Sequence, residues 1–116
     1  MTVARRVAGG VVVLNLSGRM TGLDAPGELK QQVKAALSAG HRRIVLNLSQ
    51  LSYVDSALIG ELVACCLAAA RLGGTLKMAC AARRVQEVFM ITRLGPILDW
   101  FESENAAVDS FLKADN

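Results

Sequence analysis

The sequence predicts an α/β fold, a mixed β-sheet with about four helices packed against it, in the order β-β-α-β-α-β-α-β-α. Three observations carry that expectation. β-Branched runs near the N-terminus are separated by a Gly-Gly turn, short apolar runs then alternate with segments of helical periodicity, and glycines close two of those segments. With 116 residues, 53% of them hydrophobic, and no compositional break, the whole of 1–116 is expected to be one domain with a real core.

Thr2 to Val7 and Val11 to Ser17 meet at Ala8-Gly9-Gly10 and read as a hairpin. Asp24 offers an N-cap, with Pro26 in the first helical turn, where its missing N–H costs little. Leu29, Val33, Ala36 and Leu37 then recur at helical spacing until Gly40. Arg43 to Leu48 is too short and apolar for an independent helix and belongs in the sheet interior.

Leu51-Ser-Tyr-Val54 leads from that strand into a long helix, Ser56 to Leu72. Projected at about 100° per residue, Leu58, Leu62, Cys65, Ala69 and Leu72 form one stripe, widened by Ile59, Val63, Cys66 and Ala70. That half should pack on the sheet. The opposite side carries Ala57, Glu61, Ala64, Ala68 and Arg71, mostly methyl-sized side chains that would let a partner approach the helix backbone. Helix propensity alone also accounts for alanine there.

Gly73-Gly74 ends this helix and Thr75 to Ala79 forms another strand. Val85, Val88 and Phe89 mark a short helix from about Arg83 to Thr92, broken by Gly95-Pro96. Ile97 to Phe101 is the last strand, and Ser103 caps a final helix with Val108, Phe111 and Leu112 facing inward.

Several function classes are disfavoured. The net charge of +3 is spread over Arg5-Arg6, Arg42-Arg43 and Arg83-Arg84, and aromatics make up 4% of residues without alternating with those pairs, so direct nucleic-acid binding is not expected. The N-terminus lacks a signal-peptide pattern, and the uninterrupted apolar run from Leu62 to Ala70 falls short of the roughly 20 residues that span a bilayer. A cytoplasmic protein without a membrane span is expected. Cys65, Cys66 and Cys80 lack metal or redox spacing and read as buried, reduced thiols. The only histidine, His41, reads as a loop residue beside Gly40. No metal or cofactor is expected.

The candidate site is Asp55-Ser56, where strand gives way to helix. Asp and Ser are preferred N-caps, and a cap is all that most such residues are. A helix N-terminus also carries unpaired N–H groups and partial positive charge, so a phosphoryl group on Ser56, bringing roughly −1.5 to −2 charges, would enter a setting suited to anions.

The element order, together with Val45-Leu-Asn-Leu48, Leu51-Ser-Tyr-Val-Asp-Ser56, Gly60 and Gly73-Gly-Thr-Leu76, resembles the STAS domain family, most closely its bacterial anti-sigma factor antagonists. The resemblance spans nearly the whole chain. It implies that an ATP-binding anti-sigma factor serine kinase binds the unmodified protein, phosphorylates Ser56 and releases it, and that a metal-dependent serine phosphatase resets the switch. Asp55, Ser56, Ala57, Leu58, Glu61, Ala64 and Ala68 would form the partner surface. The chain departs from the family pattern in two places: Leu58 stands where many antagonists have glycine, and Met20-Thr21 where many have aspartate after the second strand's Ser-Gly. Both favour the alternative of a STAS adaptor that is never phosphorylated, in a signalling or lipid-transport assembly. A small serine hydrolase built on Ser56 is a remote third reading, since the G-x-S-x-G elbow is absent and His41 is the only candidate base. The sequence leaves the oligomeric state open.

Overall fold

The computed structural model describes residues 2–20, 28–54, 56–91 and 99–114, with only the backbone at the ends of some elements. Strands β1 (Thr2–Ala8) and β2 (Val11–Met20) form an antiparallel hairpin with Ala8 opposite Val11. Gly9 at φ 58° and Gly10 at φ 79° make the two-residue turn, which needs both residues left-handed. Helix α1 (Glu28–Ser38) follows, buried through Leu29, Val33, Ala36 and Leu37. Gly40, at φ 97°, closes it: the Gly40 N–H reaches Leu37 O and the His41 N–H reaches Ala36 O, satisfying two terminal carbonyls. Arg42 Nη1 adds a bond of 2.9 Å to Leu37 O.

Strands β3 (Arg43–Val54), β4 (Thr75–Ala79) and β5 (Trp100–Phe101) complete a five-stranded sheet in the order β1-β2-β3-β4-β5, parallel from β2 onwards. Helices α2 (Ser56–Arg71), α3 (Arg83–Ile91) and α4 (Glu104–Ala114) stand between or after these strands. The order is the one the sequence predicts. Asp24, Pro26, Thr92, Gly95, Pro96, Ile97 and Leu98, to which caps, breaks and strand were assigned, lie outside the described residues, as do the side chains of Val88 and Phe89.

Alternation along the strands splits the sheet into two faces. Val12, Leu14, Leu16, Ile44, Leu46, Leu48, Leu76 and Met78 lie in the main core with Leu29 and Val33 of α1, Ile59, Leu62, Cys65 and Ala69 of α2, and Val85 of α3. On the other face Val11, Val13, Val45 and Ala79 meet Ala107 and Phe111 of α4. Ser103 caps α4 as expected, its Oγ accepting the Ala106 N–H at 3.0 Å.

Three assigned core positions are exposed instead. Leu72 is 54% exposed, because α2 ends at Arg71 and Leu72 lies in the closing turn, where Gly73 takes φ 77° and Gly74 N–H returns to Ala69 O. Leu112 is 42% exposed, because α4 meets the sheet through Ala107 and Phe111, one turn apart, and the next residue rotates away. Ala70 is also exposed, and Cys66 and Cys80 are half-buried while Cys65 is fully covered.

Candidate functional site

Strand β3 runs beyond the Leu48 end expected for it, and that extension positions the site. Its pairing with β4 stops at Asn47↔Ala79, but its pairing with β2 continues to Met20↔Val54. A two-stranded arm therefore projects past β4, and α2 begins at its tip. The register slips twice along the arm, between Asn15 and Ser17 and between Gly18 and Arg19, each time with an extra residue on β3. Such bulges bend a strand and raise its twist. They also explain why the buried leucines change spacing from Leu46 and Leu48 to Leu51, which strict alternation would send to the other face.

Asn47 organises the first bulge. Its Oδ1 accepts the Ser49 N–H at 2.9 Å, and its Nδ2 donates to Glu104 Oε1 at 3.0 Å, in the first turn of α4. Arg6 of β1 donates to the same Glu104 oxygen. The Arg6 guanidinium, helped by the Asn47 amide, holds the Glu104 carboxyl below the usual range against the opposing effect of burial. One polar chain thus ties β1, the bulge of β3 and the start of α4. In the sequence Asn47 stands within the strand motif Val45-Leu-Asn-Leu48 and Arg6 among scattered cations, with nothing to link them. Their partners lie too far along the chain for any local pattern to pair them.

Because β2 to β5 are parallel, α2, α3 and α4 each start at the C-terminal edge of the sheet, where open α/β sheets present their binding crevices. Ser56 is the first residue of α2, which has no acidic residue in its first turn. Asp55 and Thr21 lie outside the described residues, as do the side chains of Ser56, Ala57 and Leu58. His41 precedes β3 and Ser56 follows it, so a strand length of roughly 30 Å keeps His41 from acting as a base there.

The remaining assigned residues lie on the α1 side of α2. Glu61 is half-buried and its Oε1 accepts the Lys30 N–H of α1 at 3.3 Å. Ala64 and Ala68, also half-buried, line a trough between the two helices with Lys30, Lys34, Leu67 and Arg71. The helix side read as open is therefore flanked by α1. Fully outward stand Gly60, where an added Cβ would meet nothing within 4 Å, and Leu67, 56% exposed. Beneath, burial pushes the Cys65 thiol up to about 12 and the Cys66 thiol to about 11. For Cys65, Glu61 adds to that rise while Lys30 and Lys34 oppose it.

Among the described residues no helix is long and apolar enough to cross a membrane. The family model described as "Mlab, STAS domain" matches residues 3–99. A search of curated proteins found no match. Among solved structures the chain is similar to an anti-sigma factor antagonist from Mycobacterium paratuberculosis, with 21% identity, a TM-score of 0.78, and coverage of 94% of this chain and 92% of that one. It is similar to the Bacillus cell fate determinant SpoIIAA in its phosphorylated form, with 20% identity, a TM-score of 0.70, and coverage of 95% and 99%. It also resembles part of the murine anion transporter Slc26a9, with 20% identity, a TM-score of 0.66, and coverage of 94% of this chain but 18% of that one. At these identities the structural likeness establishes the fold alone.

Proposed function

The chain belongs to the STAS domain family, and from that premise we propose that it is a non-enzymatic anti-sigma factor antagonist, a binding module switched by phosphorylation at Ser56. One observation carries the reading. Ser56 opens a long helix at the tip of the β2–β3 arm, on the sheet edge where the parallel strands end and their helices begin, and a helix N-terminus suits an incoming phosphoryl group. The partner is an ATP-binding anti-sigma factor kinase that docks on Asp55, Ser56, Ala57, Leu58, Glu61, Ala64 and Ala68. A serine phosphatase reverses the modification. A dianion formed beneath a docked partner adds desolvation and repulsion, and about 1.4 kcal/mol of such penalty weakens binding tenfold. The proposed location is the cytoplasm of a bacterium.

A second reading is an adaptor that is never phosphorylated. Leu58 and Thr21, which depart from the antagonist pattern, favour it, and so does the likeness to one part of a transporter. Intact-mass analysis after incubation with the cognate kinase and ATP separates the two. One added phosphoryl group on wild type and none on Ser56→Ala supports the switch; Ser56→Asp should then bind the kinase weakly. Binding that leaves wild type unmodified identifies the adaptor.

A further inference from the structure

The trough between α1 and α2 is charged on both walls. Lys30 and Lys34 stand on α1 one helical turn apart, Arg71 stands on the last turn of α2, and among the described residues no acidic one lines the space among them. Among the described residues none of the three cations forms an ion pair. Glu61 of α2 accepts the Lys30 backbone N–H and pairs with none of the three. Like charges four residues apart on a helix repel, so the Lys30–Lys34 arrangement disfavours α1 slightly and would be relieved by an anion between them.

The floor and rim are apolar. Ala64 and Ala68 recess the centre, and Leu67 projects beside them at 56% exposure. Gly60, Ala64, Leu67 and Arg71 follow one another at four, three and four residues, so they form one crest along α2, exposed at Gly60, Leu67 and Arg71 and half-buried at Ala64. A crest of that kind, small residues followed by a leucine and then a cation, accepts a second helix at close range.

We propose that this trough is the seat of an acidic amphipathic helix of the partner, whose apolar side chains pack on Ala64, Leu67 and Ala68 while its carboxylates pair with Lys30, Lys34 and Arg71. The inference rests on the partner-binding reading above and names the chemistry the partner must present. The concave shape favours a helix over a flat bilayer, because cations on both walls can flank a rod laid between them. Electrostatic pairing of this kind acts mainly on specificity and association rate, so binding should weaken as salt rises.

The test uses the complex of the intact chain with its cognate ATP-binding partner. Zero-length carbodiimide coupling should join Lys30 or Lys34 to Asp or Glu residues within one helical segment of the partner. Lys34→Glu combined with Arg71→Glu should weaken binding at least about tenfold, and exchanging the coupled partner acids for lysine should restore it. Ala64→Glu should also weaken binding, by placing a carboxylate among the three cations. Melting temperatures of the variants must match wild type, and Lys30→Gln with Lys34→Gln gives a milder version should the reversals misfold. Complexes indifferent to these changes, while Ser56→Asp still releases the partner, overturn the trough and leave the Ser56 switch standing. If wild type forms no complex, both readings fail. If the same variants lose binding to phosphatidylglycerol vesicles while the protein complex persists, the trough serves a membrane and the inference is overturned.

Discussion

Among the described residues, one face of the sheet is covered by helices α1, α2 and α3 and the other by α4, and the two are held by different physics. Beneath the three helices the contacts are aliphatic, with Leu14, Leu16, Leu46, Leu48, Leu62 and Met78 fully buried. Beneath α4 the apolar patch is small, and polar bonds surround it. Lys77, 8% exposed, donates to Ser110 Oγ at 2.6 Å, lies 4.1 Å from the centre of the Phe111 ring and 5.3 Å from that of Phe101, and faces Asp99 at 3.9 Å. At the other end of the helix sit Glu104, Asn47 and Arg6. Apolar burial is non-directional and scales with area, whereas buried polar groups demand specific partners. The first face should therefore determine whether the chain folds, and the second where α4 and the β3 bulge sit.

The largest effect should come from the aliphatic face. Leu62→Ala should lower stability by about 2–5 kcal/mol in denaturant unfolding, the range for a buried leucine cavity. A loss under about 0.5 kcal/mol would be a surface-like value and would show that α2 packs by another side.

On the α4 face, Lys77→Ala should cost about 1–3 kcal/mol by leaving Ser110 without its donor and the ring cleft unfilled, while Lys77→Met, which keeps the stem, should stay within about 1 kcal/mol of wild type. Equal losses in both would mean that the ammonium, not its packing, holds α4. Hydrogen exchange in α4 should rise in the alanine variant before the α2 amides respond.

Asn47→Ala should cost about 1–2 kcal/mol, since it removes both the bond that forms the bulge and the one that anchors Glu104. Its signature is increased exchange at Ser49 and in the first turn of α4 together. Change at only one of the two would mean that the bonds act independently.

The smallest effect is pH dependence. Glu104 has a carboxyl held below its usual range, so its contribution is present above the unfolded value of about 4.3 and is lost as pH falls through the lower folded value. Arg6 is 46% exposed, so the pair should be worth under about 1 kcal/mol. Comparing wild type with Glu104→Gln, the stability difference should shrink below about pH 4. A difference constant down to acid pH would assign the effect to shape instead of charge.

Local patterns in the sequence determined the β1–β2 hairpin, the buried face of α1, the Leu62 and Cys65 stripe of α2, the Ser103 cap and the Gly40 and Gly73 stops, because each depends on residues within a few positions of one another. The junction where Ser56 begins α2 was legible for the same reason. Tertiary structure alone decided how that junction is carried. The β3 extension, its two bulges, the Asn47–Glu104–Arg6 chain and the trough beside Ala64 join residues from distant segments, Arg6 and Glu104 being 98 positions apart. Leu72 and Leu112 make the same point in reverse. Both fit the apolar period, yet the turn after α2 and the narrow contact of α4 with the sheet leave them in water, since periodicity gives the direction of a side chain and not the extent of what it meets.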